Sequence, residues 1–180
     1  TTDALKEALH VQSHTVKVHD PLYREIKASY ARSKDDTVAI IEMAAAAGLD
    51  LISKEERNSL ITTTYGVGEL ILDALDHGVS KIILGIGGSA TNDGGSGMLS
   101  ALGVKFLDAN HVPLKPGGEQ LANLTHIDVS SLDKRLKDVH FEVACDVTNP
   151  LLGTNGATAV YGPQKGATCL LYTSPSPRDR

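Results

Sequence analysis

Residues 81–97, KIILGIGGSATNDGGSG, run a short apolar segment into a loop that holds six glycines, at positions 85, 87, 88, 94, 95 and 97. Before it comes TTTYGVGELILDALDHG (62–78), where Leu70, Ile71, Ala74 and Leu75 recur at helical spacing and Gly78 supplies a stop. An apolar run without polar alternation, placed directly after a helix, is the pattern of a strand buried on both faces. Such strands belong to parallel sheets covered by helices. The expectation is an α/β fold with a largely parallel sheet and helices on its faces. The glycine loop falls at the C-terminal edge of that sheet, where open α/β sheets bind ligands.

The loop's composition names the kind of guest. Glycine lets backbone N–H groups approach a ligand with no side chain between, and a following helix adds a partial positive end, so the fitting ligand is an anion such as phosphate or carboxylate. Gly87, Gly88, Ser89 and Thr91 are the expected anion contacts, with Gly94 and Gly95 completing the binding loop and Asn92 orienting it. Asp93 is the candidate for metal or base work, and also for capping the short helix SGMLSALG (96–103).

Working outward, HTVKVHDPL (14–22) and EIKASYARSKDDTVAIIEMA (25–44) read as strands, the latter two joined by a turn at Lys34-Asp35-Asp36. AAAAGLD (44–50) reads as a short helix ending at Gly48, VKFLD (104–108) as a strand, and DVHFEVACDVTNPLLG (138–153) as a second buried strand ending in Asp146, Thr148 and Asn149. Asp146, at the end of such a strand, is expected to meet a cation such as Lys165 or to face the cleft. Asn149, before Pro150, fits either a ligand contact or a turn. Lys165 lies among backbone-permissive residues in GPQKGAT (162–168), and phosphate contact suits it better than a charged helix face. The threonines of TTTYG read as helix caps.

Composition excludes several classes. The chain has 180 residues, a formal net charge of −5, no Trp and two Phe. It therefore offers neither the basic field nor the stacking surface of a nucleic-acid binder. No apolar run approaches the roughly 18 residues of a membrane helix. Two cysteines make no disulfide framework or zinc site, and the reading is a cytoplasmic protein. GIGGSA (85–90) matches the dinucleotide pattern G-x-G-x-x-A with Asp108 as ribose acceptor, but the helix after it is short and starts late. No Walker lysine follows the glycines. An acid beside a phosphate cradle suits magnesium-dependent phosphoryl transfer, with Asp93 or Asp146 on the metal or accepting a proton and Lys165 neutralising charge. A non-catalytic nucleotide- or organic-acid-binding module and an NAD-dependent oxidoreductase remain as alternatives.

GIGGSATNDGGSGMLSALG (85–103) and ACDVTNPLLGTNGATAVYGPQKGAT (144–168) resemble the most characteristic stretches of the bacterial glycerate kinases, a family that includes the glycerate 2-kinases. AIIEMAAAAGL (39–49) and TTTYGVGELILDAL (62–75) resemble the family in order and spacing. The resemblance runs from Thr1 to Thr168. It implies two α/β domains with the site between them, and phosphorylation of D-glycerate by ATP with magnesium. By the family pattern, a strand with a PDSFKGS-like loop and a DGGEG segment precede Thr1, and further chain follows Thr168. Residues 1–168 are thus expected to form part of the family fold. The Pro-, Ser- and Arg-rich end CLLYTSPSPRDR (169–180) reads as a disordered tail foreign to it. The oligomeric state is not encoded in any motif.

Overall fold

A computed structural model describes residues 11–145, 147–150 and 153–167. The expected tail (169–180) and Asp146 lie outside them. Strands β1 (Val11–His19) and β2 (Glu25–Ser33) form an antiparallel hairpin, paired from Val11↔Ser33 to His19↔Glu25. The turn between them is built by Asp20, 1% exposed, whose Oδ1 accepts the N–H groups of Leu22 and Arg24 at 2.8 and 2.9 Å while Oδ2 accepts Arg24 Nε at 2.6 Å. Tyr23 donates its N–H to the Asp20 carbonyl and takes the left-handed conformation, φ 64°. Its ring stacks on His19, with centroids 4.3 Å apart, and meets Tyr65 edge-on at 5.1 Å. A residue with a Cβ in this region costs roughly 1–2 kcal/mol. Tyr23→Gly loses the stacking but relieves the backbone, and Tyr23→Ala loses the stacking and keeps the strain. Chemical denaturation should therefore show the glycine variant more stable than the alanine variant by about 1 kcal/mol.

Strand β3 (Val38–Glu42) pairs antiparallel with β2 across the expected turn. The chain then passes through α1 (Ala44–Ala47) and α2 (Tyr65–Asp76) to β4 (Lys81–Gly85), which is parallel to β3 on one side and to β7 (His140–Ala144) on the other. The five-stranded order is β1-β2-β3-β4-β7. The α/β class holds, but the sheet is mixed rather than largely parallel. Short turns such as residues 34–37 permit only antiparallel neighbours, whereas the helical crossover from β3 to β4 permits a parallel one. Because β1, β3, β4 and β7 all run the same way, four strand ends share one edge.

Helix α2 buries Val67, Leu70, Ile71, Ala74 and Leu75 against Val18, Ala28, Tyr30, Ala39, Ile41, Ile82 and Leu84. Each large aliphatic side chain so buried contributes roughly 1.5–3 kcal/mol. Two glycines in the helix set its close fit. A Cβ at Gly66 would collide with the His19 carbonyl oxygen, and one at Gly68 with the Met98 carbonyl oxygen. Helices α1 and α2 both contribute to this one core face. The opposite face carries the ion pairs Lys17–Glu25 and Lys81–Glu142.

One further expectation needs correction, and the expected strand at VKFLD forms apart from the main sheet. Strand β7 is exposed along its whole length rather than buried, since it is the edge strand and nothing among the described residues covers it. The segment VKFLD leaves the main sheet altogether: β5 (Lys105–Leu107) pairs antiparallel with β6 (His126–Asp128) in a separate two-stranded ribbon. Asp108 Oδ1 accepts the N–H groups of Asn110 and Val112, so it organises its own turn and does not follow a strand beside β4 as a ribose acceptor would.

Candidate active site

The glycine loop leaves β4 at the shared edge and runs to helix α3 (Ser96–Ala101). Its first half is tied to the end of α1: the Ala90 N–H donates to the Ala47 carbonyl at 2.8 Å, and the Leu49 N–H to the Gly88 carbonyl at 3.0 Å. Between these ties Gly88 adopts φ 70°, a conformation that favours glycine. Gly87 and Gly88 are exposed, and the N–H groups of Gly87, Gly88, Ser89 and Asn92 find no hydrogen-bond partner among the described residues. Thr91 is buried. The loop thus keeps donors uncommitted where an anion would use them.

The second half of the loop is organised by Asp93, which is 1% exposed. Its Oδ2 accepts the Thr64 N–H at 2.8 Å, the Thr64 hydroxyl at 2.8 Å and the Gly97 N–H at 3.2 Å, and its Oδ1 accepts the Gly95 N–H at 3.1 Å. Thr64 Oγ1 accepts in turn from the Met98 N–H at 2.9 Å. One carboxylate therefore caps the first turns of both α2 and α3. Gly94 and Gly95 turn the chain around it with φ 60° and 78°. Gly97 has to be glycine: a Cβ there would strike Thr63 Oγ1 and lie 2.7 Å from the Tyr65 nitrogen.

Lys165 comes to this loop from the far end of the described chain, carried on a 3-10 turn (Pro163–Lys165) after α4 (Ala157–Tyr161). Its ammonium donates to Ser89 Oγ at 2.9 Å and to the Thr91 carbonyl at 2.7 Å. Burial pushes its pKa below that of an ordinary lysine, and the Asp93 charge opposes the shift. The same segment is braced by Asn149, whose amide donates to the Asn155 carbonyl at 2.9 Å and whose Oδ1 accepts the Tyr161 hydroxyl at 2.8 Å. Asn92 Oδ1 accepts from Thr158 Oγ1 at 3.4 Å.

Of the residues singled out in the sequence, Gly87, Gly88, Ser89, Thr91 and Lys165 come together. Asn92 and Asn149 link the loop to the α4 segment and brace that segment from within. Asp93 lies beneath the loop, not on its open side. Asp146 lies outside the described residues. The sequence reading missed how Thr62, Thr63 and Thr64 work. They are completely buried, Thr62 Oγ1 donates to the Ala90 carbonyl at 3.1 Å, and Thr64 links Asp93 to α3. Three consecutive hydroxyls between apolar neighbours were the available signal, and helix capping alone explains only part of it.

Among the described residues, magnesium finds no ready site. No cluster of three His, Cys, Asp or Glu side chains suited to a metal occurs among the described residues, and four hydrogen bonds in a dry setting leave Asp93 no opening for a hydrated cation. What the arrangement offers is free backbone donors and one desolvated ammonium, which suit a multivalent anion.

Comparison with known proteins gives this site a context. Residues 1–170 match the sequence model of the glycerate kinase family. The chain is 54% identical over 168 residues to a glycerate kinase of Halalkalibacterium halodurans and 55% identical over the same length to one of Haemophilus influenzae. It is 52% identical to the glycerate 2-kinase of Escherichia coli. Each alignment covers 93% of this chain and 44% of the relative, so the chain spans a little under half the length of the curated relatives it matches. The crystal structure of a Salmonella typhimurium LT2 protein described as a glycerate kinase 2 superposes with a TM-score of 0.93 at 52% identity, over 96% of this chain and 46% of that one. With the family model covering nearly the whole sequence and the fold shared at this identity, the chain belongs to the glycerate kinase family.

Proposed function

We propose that this chain forms the phosphate-handling part of an enzyme that transfers the terminal phosphoryl group of ATP to D-glycerate. The observation that carries the reading is the Lys165 ammonium seated on Ser89 and Thr91, 76 and 74 residues away in sequence. A desolvated cation beside uncommitted backbone donors stabilises charge on phosphoryl oxygens more than it would in water. In the transfer, a glycerate hydroxyl oxygen bonds to the γ-phosphorus, the bond from phosphorus to the ADP oxygen breaks, and the hydroxyl proton passes to a carboxylate. Asp93 holds the loop in shape for this step. Asp146, two positions after Ala144 in the sequence, is the residue we assign to accept that proton.

The test places residues 1–168 into the Haemophilus influenzae relative in place of its aligned stretch and measures ADP release with and without D-glycerate. Glycerate-dependent turnover within the range of about 1–100 s⁻¹ usual for kinases supports the reading. Nucleotide binding with no glycerate-dependent ADP release overturns it in favour of a binding module.

A further inference from the structure

Arg57 differs from the other arginines of the described residues. Arg24, Arg32 and Arg135 each meet a carboxylate at 2.6 or 2.7 Å, whereas Arg57 meets none among the described residues. Its Nε is enclosed by the chain's own atoms and has no hydrogen-bond partner among the described residues, and its Nη1 makes a long donation to the Gln164 carbonyl at 3.5 Å. A buried donor without an acceptor is costly, and a guanidinium cannot give up its proton to escape that cost. The position calls for an anionic acceptor.

The fold sets Arg57 at the corner that holds Lys165. Glu56, the residue before it, accepts the Ser53 N–H at 3.0 Å and Arg24 Nη1 at 2.9 Å, which fixes the turn that carries Arg57. Farther along, Asn58 Oδ1 accepts the Leu60 N–H at 3.0 Å, and Thr62 Oγ1 reaches the glycine loop at Ala90. Gly166, with φ 83°, lets the Lys165 turn settle directly on this segment, since a Cβ there would collide with the Arg57 carbonyl oxygen. Gln164 and Gly166, on either side of Lys165, thus both touch Arg57.

We infer that Arg57 receives the carboxylate of the acceptor acid, while Lys165 and the free N–H groups of the glycine loop serve the phosphoryl group. Phosphoryl oxygens already have donors in that loop. The acceptor carries its fixed negative charge only a few bonds from its hydroxyl groups, so the group that binds it has to lie next to the Lys165 corner without belonging to the loop. A planar guanidinium with an unused Nε–H fits a carboxylate through two parallel hydrogen bonds, which a lysine cannot match. A neutral alcohol would leave the same donor unpaired and be rejected for that reason. The inference rests on the phosphoryl-transfer reading of the site and adds the residue that selects an acid.

The test makes Arg57→Gln and Arg57→Lys in the longer protein used for the glycerate assay. Arg57→Gln should raise the KM for D-glycerate by about 10- to 100-fold, as expected for losing a charge-assisted pair, with the KM for ATP unchanged. It should also abolish the preference for D-glycerate over glyceramide, its neutral amide, and Arg57→Lys should recover part of that preference. A role confined to bracing the Lys165 turn would lower kcat and leave the preference intact. That result, or an equal rise in the KM for ATP, overturns the inference. A second readout needs no turnover: the ¹⁵N-labelled Arg57 Nε–H signal, identified by its loss in Arg57→Gln, should shift saturably with D-glycerate and stay in place with glycerol. A responding signal without glycerate-dependent ADP release supports Arg57 as the acid-binding residue and refutes the phosphoryl transfer alone. Turnover with a silent signal and an unchanged KM refutes the role of Arg57 alone.

Discussion

Asp93→Ala is expected to destabilise the fold by about 3–5 kcal/mol, the range typical of breaking a buried, fully hydrogen-bonded network around a charge. Removal of the carboxylate strands the Thr64 and Gly97 N–H groups in a site where water does not reach them, and frees the Gly95 N–H and the Thr64 hydroxyl. Each buried donor left without an acceptor costs roughly 1–3 kcal/mol. Both α2 and α3 lose their N-terminal cap in the same step, so the effect spreads from the loop into the core helix that rests on the sheet. Asp93→Asn keeps the shape and one acceptor oxygen, and should cost less than the alanine variant. Urea denaturation of the three proteins checks the order. A loss below 1 kcal/mol for Asp93→Ala would mean that the carboxylate is not the structural centre of the loop.

The second large effect concerns activity. Lys165→Ala, made in the longer protein used for the glycerate assay, is expected to lower turnover by at least 10²-fold, in line with losing one preorganised electrostatic contact to developing charge. Stability should change little by comparison, because the ammonium's partners, the Ser89 hydroxyl and the Thr91 carbonyl, belong to a loop with an exposed side. The pH dependence has a definite sign. Burial lowers the pKa of Lys165, so the charged form that serves the reaction is lost at a lower pH than for an exposed lysine. Turnover should therefore fall on the alkaline side as pH rises through that depressed value. Lys165→Arg, which stays charged, should move the fall to higher pH even at reduced activity. Identical alkaline limbs for the parent and the arginine variant would remove Lys165 from the chemistry.

Much of this was legible in the sequence where local chemistry decides the outcome. The turn at residues 34–36, the helix ending at Gly78 and the strand before the glycine loop follow from residue types within a few positions, and the structure has all three. The mixed sheet was implied by the same turn, since strands joined so closely must run antiparallel, but the apolar run of β4 reports only on its own parallel neighbours. The exposure of β7 had no local signal. FEV reads as core because its side chains face a core that the described residues do not close over. Asp93 shows the limit for the site: its type and position marked it, but only the approach of Thr64 from 29 residues away turns it into a cap. Lys165 was identified from permissive neighbours, and its contact with Ser89 is a property of the folded chain alone.

The claim on which the account turns is that the open side of residues 87–91, with Lys165, receives phosphate. Titration of the ¹⁵N-labelled chain with ATP, followed by amide chemical shifts, tests it directly. The expected result is saturable shifts centred on Gly87, Gly88 and Ser89 that weaken at least ten-fold in affinity in Lys165→Ala. Shifts centred instead on the small cavity of about 180 Å³ lined by Tyr65, Ser100, Phe106 and Lys115, or shifts unchanged by removing Lys165, would contradict it.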